Sequence, residues 1–285
     1  METLKKLTLK KNSPPDEYLT KKEKDFENTG IFSKEEMMLD QRRVGRAKLK
    51  HKEHTERSTF LEAMISKEMI DFGIFGDNAC GGPGTEFDDF FNGSDLIIEF
   101  STDGERPGTM LSIDVTTGAN GDEAGKKKDH FINNNIKNGK LSKLKYFDPS
   151  SPENNHLKGA IDMIPKVIVG TDTEGVKNLA EIMHGIVFDE NKKEFEKKLC
   201  EHHIQLEILE EAKDRLRLYI KEAEKVGYNE NDEIVSKQKK VLKIIKKVFE
   251  EKKRSVVLPA GARNNPVFNR LAGAGLTGSV SLGHS

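Results

Sequence analysis

The chain has 285 residues, 35% of them hydrophobic and 33% charged, with 47 basic and 48 acidic side chains. That length allows one or two domains, and the high charged fraction predicts that only part of the chain builds a compact core. The net charge of −1 argues against a globally basic nucleic-acid binder, although charges arranged in runs still allow a local basic face. Cys80 and Cys200 belong to no CxxC pair, which argues against a structural zinc site or a disulfide framework. Both read as reduced thiols of a soluble, cytoplasmic protein. The first residues hold no apolar core of signal-peptide length, and no run approaches the roughly 18 apolar residues that span a bilayer.

Residues 1–55 are charge-rich and read as a partly helical arm. Within "SKEEMMLDQRRVGRAKLKHKEHTERS", Ser33 followed three residues on by Glu36 is a capping-box spacing. The basic half of that helix could touch phosphates, although charge runs are more often solvated faces. "STFLEAMISKEMIDFGIFG" reads as a helix, with Phe60, Leu61, Met64, Ile65, Met69 and Phe72 at helical spacing. "DNACGGPGTEFDDFFNGSD" reads as a glycine-rich loop. It lacks the GK[ST] ending of a phosphate-binding loop.

Two strands follow, "DLIIEF" and "TMLSIDVTTG". In the second, Met110, Ser112, Asp114 and Thr116 alternate with Leu111, Ile113 and Val115, so Asp114 and Thr116 share a face. "DEAGKKKDHFINNNIKNGKLSKLKYF" reads as a basic helix. "IPKVIVG" reads as a buried central strand. "TDTEGVKNLAEIMHGIVF" reads as a helix with Val176, Leu179, Ala180 and Met183 as its stripe.

From about residue 190 the pattern becomes helical. Phe195, Leu199, Leu206, Leu209, Leu216 and Ile220 define the seam of one long helix, interrupted by His202 and Lys213. After the turn "GYNEND", a second helix carries Val241, Leu242, Ile245 and Val248 on one face. The pair reads as an antiparallel hairpin that packs on the core or on another copy, making a homodimer. The predicted organisation is therefore an arm (1–55), an α/β core (56–188), a helical hairpin (189–254) and a tail rich in small residues (255–285). The predicted class is α/β, a small mixed sheet flanked by helices with the hairpin appended.

The chemistry-bearing candidates are acids. Asp114 lies within an apolar strand, where a lone charge is costly unless paired or ligated. Asp95 opens the preceding strand, a place that turn chemistry alone also favours. Glu62 sits on the helix before them, as a glutamate commonly does without any site. Asp88, Asp89 and Glu99 compete for the same role. His202 and His203 are adjacent, and on a helix they would not share a face, so a histidine zinc site is not expected.

"SDLIIEF…LSIDVTTG…KKK" resembles the core of the PD-(D/E)XK nuclease-like superfamily, to which restriction endonucleases belong. The resemblance covers roughly residues 56–188. It implies a restriction-endonuclease-like fold, with Glu62, Asp95 and Asp114 holding Mg²⁺ or Mn²⁺ and a lysine acting beside them. Thr116 stands where the family places that lysine. The resemblance therefore implies either a substitute from the following basic run, Lys126, Lys127 or Lys128, or an inactive site. Mg²⁺ suits a few carboxylates plus substrate phosphate, activates water and stabilises phosphoryl charge. The leading expectation is a metal-dependent endonuclease or exonuclease acting on nucleic acid, DNA foremost, with no membrane partner. The alternatives are an inactive nucleic-acid or protein-binding module of the same fold, and a scaffold that assembles through its hairpin.

Overall fold

The computed structural model describes residues 29–50, 56–65, 73–101, 108–117, 122–150, 156–171, 173–188 and 192–256, together with Phe26 and Ile70. Most of the first half of the arm and nearly all of the expected tail lie outside the described residues. The arm's helix forms as α1, Lys34–Lys50. The Ser33 hydroxyl accepts the Glu36 N–H at 3.1 Å, the contact that the Ser-x-x-Glu spacing predicts. Helix α2, Glu56–Ala63, delivers Leu61 to the core, and Met64 and Ile65 continue inward after it.

The glycine-rich stretch is not a loop throughout. Ala79–Pro83 forms β1, and Glu86–Asn92 forms α3. Gly81 lies so close to the next strand that a Cβ would stand 2.3 Å from the Ile97 carbonyl oxygen, so the glycine there permits strand contact. Helix α3 starts at Thr85, whose hydroxyl accepts the Asp88 N–H, and it ends at Gly93 in the left-handed region with φ 59°.

Strands β2, Leu96–Phe100, and β3, Thr109–Thr117, pair antiparallel with Leu96 opposite Ile113. β1 pairs antiparallel on the other side of β2. Helix α4, Asp122–Asn134, is shorter than the basic run it starts. A 3₁₀ turn at Ile136–Asn138 and Gly139 in the left-handed region end it, and Ser142–Phe147 is strand β4. The alternation of Ser142, Leu144 and Tyr146 inward with Lys143 outward decides for a strand over a helix. β4 pairs with β5, Gly159–Ile164, as a separate two-stranded ribbon.

Strand β6, Lys166–Thr171, runs parallel to β3 and gives the sheet order β1-β2-β3-β6. The apolar run is thus a buried strand at the end of the sheet rather than at its centre. Its outer edge is covered. The Gly170 N–H donates to Glu211 Oε2 at 3.0 Å, so a side chain replaces one missing strand partner.

Helix α5, Thr173–Phe188, buries Val176, Leu179, Ala180 and Met183 as its stripe predicts. The single long helix expected after it is two helices, α6, Lys192–Cys200, and α7, Ile204–Lys225. The break falls at the histidines. His202 Nδ1 accepts the Ile204 N–H at 3.2 Å, and the His202 and His203 rings stack at 4.3 Å. Burial, and then His203, lower the His202 pKa to about 4. Helix α8, Glu233–Lys252, returns against α7. Leu206, Leu209 and Leu216 of α7 and Val241, Ile245 and Val248 of α8 share one apolar core with Ile98, Ile113 and Val167 of the sheet. The architecture is mixed α/β, a small four-stranded mixed sheet with several helices around it. Among the described residues, no helix is long and apolar enough to cross a membrane.

Candidate active site

The sheet has two unlike faces, and period-2 alternation assigns every residue to one of them. Leu96, Ile98, Phe100, Leu111, Ile113, Val115, Val167 and Val169 enter the large core. The other face carries Ile97, Glu99, Met110, Ser112, Asp114 and Thr116. Ser112 of β3 pairs with Lys166 of β6, so parallel register puts Lys166 on this second face as well. One residue beyond the Leu96–Ile113 pair, antiparallel register sets Asp95 opposite Asp114.

Asp114 is buried and doubly paired. Its Oδ1 accepts from Lys127 Nζ of α4 at 2.9 Å, and its Oδ2 lies 3.3 Å from Lys166 Nζ. Lys166 is itself buried, with only 8% of its side chain exposed, and it donates to the Asn92 carbonyl at 3.1 Å. The end of α3 makes room for this ammonium. At Gly93 a Cβ would stand 2.5 Å from Lys166 Nζ and 3.1 Å from Asp114 Oδ2. Asp95 Oδ2 accepts the Val115 N–H at 2.6 Å, which locks the carboxyl against β3.

Two further acids complete the group. Burial raises the Asp95 carboxyl well above its ordinary range, reinforced by the charges of Asp114, Asp89 and Glu62 and by a hydrogen bond that the protonated Asp95 donates to the Asp89 side chain. Glu62 of α2 is pushed up to about 7, first by burial and then by Asp89 and Asp114, with Lys127 acting in the opposite direction. Four carboxyls, from two helices and two strands, thus sense one another beside two lysines. Among the described residues, however, no three His, Cys, Asp or Glu side chains stand in an arrangement ready to hold a metal ion. The ammonium groups, not neighbouring carboxylates, occupy both oxygens of Asp114.

Glu62, Asp95 and Asp114 are therefore brought into one electrostatic neighbourhood. Lys126 and Lys128 do not pair with Asp114: Lys126 is exposed, and Lys128 lies 3.7 Å from Asp129. Lys127 is the member of the run that reaches Asp114. Asp89 joins the group, whereas Asp88 is structural. Asp88 is fully buried and takes the Lys145 N–H at 2.7 Å, the Tyr146 N–H at 3.0 Å and Asn92 Nδ2 at 2.6 Å, tying α3 to β4. Glu99 accepts the Ser150 N–H at 2.6 Å, towards the other end of β2. Thr116 is buried on the Asp114 face and opposes Gly170. Lys166 is the residue that sequence reasoning missed. Its one signal was a lysine opening an otherwise apolar strand, "IPKVIVG".

No family model, curated protein or solved structure matches this chain.

Proposed function

We propose that the chain is a Mg²⁺-dependent, nuclease-like protein on a restriction-endonuclease-like core, hydrolysing phosphodiester bonds of nucleic acid, DNA foremost. The observation that carries this reading is that Glu62, Asp89 and Asp95 act on one another's charge around Asp114, which itself pairs with Lys127 and Lys166. The order in the chain fits the resemblance: a helix glutamate, an aspartate opening one strand, an acid on the next, then a basic helix and a strand–helix pair. The donor set suits a hard divalent cation, being all oxygen, and the protons that Glu62 and Asp95 hold would leave as such an ion entered. Bound there, the ion would supply water activation and phosphoryl-charge stabilisation. Glu62, Asp95 and Asp114 would hold it. Lys166, from the neighbouring strand, would take the part of the lysine absent at Thr116, stabilising negative charge that develops at the reacting phosphate. The free cysteines Cys80 and Cys200 support a reducing compartment such as the cytoplasm.

Calorimetric titration of Mg²⁺ and Mn²⁺, paired with cleavage of plasmid and linear DNA, tests the reading. Wild type should bind the ion and cut, and Asp114→Asn should do neither while keeping its fold. Absence of both binding and cleavage in wild type would sink it.

A second reading has its own support. Lysine ammoniums already neutralise both oxygens of Asp114, as in a site that no longer exchanges cations. The protein would then be a binding module of the same fold. Salt-dependent DNA binding without cleavage in any divalent ion would select it.

A further inference from the structure

Five buried side-chain polar atoms lack a hydrogen-bond partner among the described residues: Thr109 Oγ1, Gln205 Oε1, Gln238 Oε1, Arg215 Nε and the Tyr219 hydroxyl. The last two differ from the amide oxygens in being donors, and both belong to α7. They are four residues apart and therefore lie one turn from each other on a single helix face.

The position of that face is fixed by Glu211, one turn earlier. Glu211 Oε2 caps the β6 edge at Gly170, and its Oε1 accepts from Arg215 Nη2 at 2.9 Å. At the other end, the Tyr219 ring packs on Phe131 of α4 with centroids 5.2 Å apart. The Lys166 ammonium stands 5.7 Å from the centroid of that same Phe131 ring. Phe131 also follows Lys127 by one helical turn. The polar stripe of α7 and the Asp114–Lys127–Lys166 group therefore meet around one aromatic ring. Asp114 is among the charges that act on the Tyr219 hydroxyl.

A buried donor with no acceptor costs stability, and two on one face require an explanation. A guanidinium only donates, and a phenol donates readily. The complement of a positive donor beside a neutral one is an oxyanion. We propose that Arg215 and Tyr219 form a phosphate-anchoring subsite beside Asp114, receiving a phosphate oxygen of the bound strand. The identity of the ligand rests on the nuclease-like reading above. Arg215 Nε is itself buried although 19% of that side chain is exposed, so Arg215 is the member nearer solvent and the fully buried Tyr219 the inner one. The acids of α2, α3, β2 and β3 then serve the cation, and α7 serves the phosphate. Arg215 and Tyr219 are positioning residues in this division.

The test separates the subsite from the chemistry. A 5′-phosphorylated dinucleotide and the same dinucleotide without phosphate are titrated into the full chain in EDTA, so that no divalent ion contributes. Wild type should prefer the phosphorylated ligand. Tyr219→Phe should weaken that ligand by about 5–10-fold, as loss of one hydrogen bond does. Its melting temperature should stay level or rise, because the variant deletes an unpaired buried hydroxyl. Arg215→Lys keeps the charge, loses the Nε donor and should weaken the phosphorylated ligand similarly. Unchanged affinity in both variants would overturn the proposal, as would equal binding of the two dinucleotides by wild type. Failure of the nuclease reading would register elsewhere, as missing divalent-ion binding and cleavage with the phosphate preference intact.

Discussion

Glu62→Gln isolates the electrostatic strain of the acid group. In the folded chain the Glu62 carboxyl titrates at about 7, against an ordinary value of 4.5. Between those values the folded state keeps a proton that the unfolded state has released, so stability falls as pH rises through the window. The contribution is fully present below pH 4.5 and gone above pH 7. At about 1.4 kcal/mol per pKa unit the full difference is about 3 kcal/mol. Water still reaches this partly buried side chain, which brings the usable figure to about 1–3 kcal/mol. Glutamine cannot ionise and nearly preserves the shape. Urea unfolding at pH 5 and pH 8 should therefore show wild type losing about 1–3 kcal/mol more than Glu62→Gln over that interval. Taking the difference between the two proteins cancels most other titrating groups. Saturating Mg²⁺ at pH 8 should restore stability to wild type more than to the variant, because only wild type gains an ionised ligand. Parallel pH curves for the two proteins would refute the reasoning, since Glu62 would then titrate alike in the folded and unfolded chain.

The lysines give three further tests. Lys166→Met should cost on the order of 3 kcal/mol in denaturant unfolding, because it leaves a buried carboxylate with one cation fewer. The same change should abolish any cleavage. Lys127→Ala should reduce activity strongly, whereas Lys126→Ala and Lys128→Ala should resemble each other and weaken only salt-sensitive DNA binding. Equal small losses from all three would describe a generic basic face. Gly93→Ala should destabilise by about 1–2 kcal/mol from the left-handed backbone alone. It should also displace the Lys166 ammonium, so a crystal structure of that variant with Lys166 unmoved would count against the packing described.

What the sequence made legible follows the strength of local pattern. Asp114 stood out because strict alternation in "MLSIDVTT" set an acid on a buried strand, and the strand, its face and its burial are as that pattern requires. The Ser33 cap and the stripes of α5 and α8 were legible for the same reason: each rests on neighbours within one or two turns. Asp89 was only a competitor, because α3 lies inside a glycine-rich stretch that reads as a loop. Its helix depends on the Thr85 cap and on Asp88 reaching across to β4, a partner 57 residues away. β4 was hidden because Lys143 and Lys145 extend a basic run, while the inward residues between them carry the strand signal. Lys166 could not be found from local pattern at all. Its closeness to Asp114 comes from the parallel register of β6 on β3, across a crossover that contains α4 and the β4–β5 ribbon. Register across such a distance is a tertiary property.

The balance of charge in the group separates the two functional readings. Lys127 and Lys166 pair with Asp114, while Glu62 and Asp95 both hold protons more tightly than ordinary carboxyls. A site in this state can become more compensated only by gaining positive charge. If it takes up Mg²⁺, the ion must compete with those protons, and binding must release them. Titration of Mg²⁺ near pH 6.5, below the value of about 7 at which Glu62 ionises, should then give an apparent heat that changes with the ionisation enthalpy of the buffer. Near pH 8.5 the part of that dependence owed to Glu62 should vanish, and the affinity should be higher. A binding module would behave differently. Its lysines neutralise Asp114 permanently, so Mg²⁺ would give no saturable heat at either pH. Phosphate contacts elsewhere would then carry all of its affinity for nucleic acid.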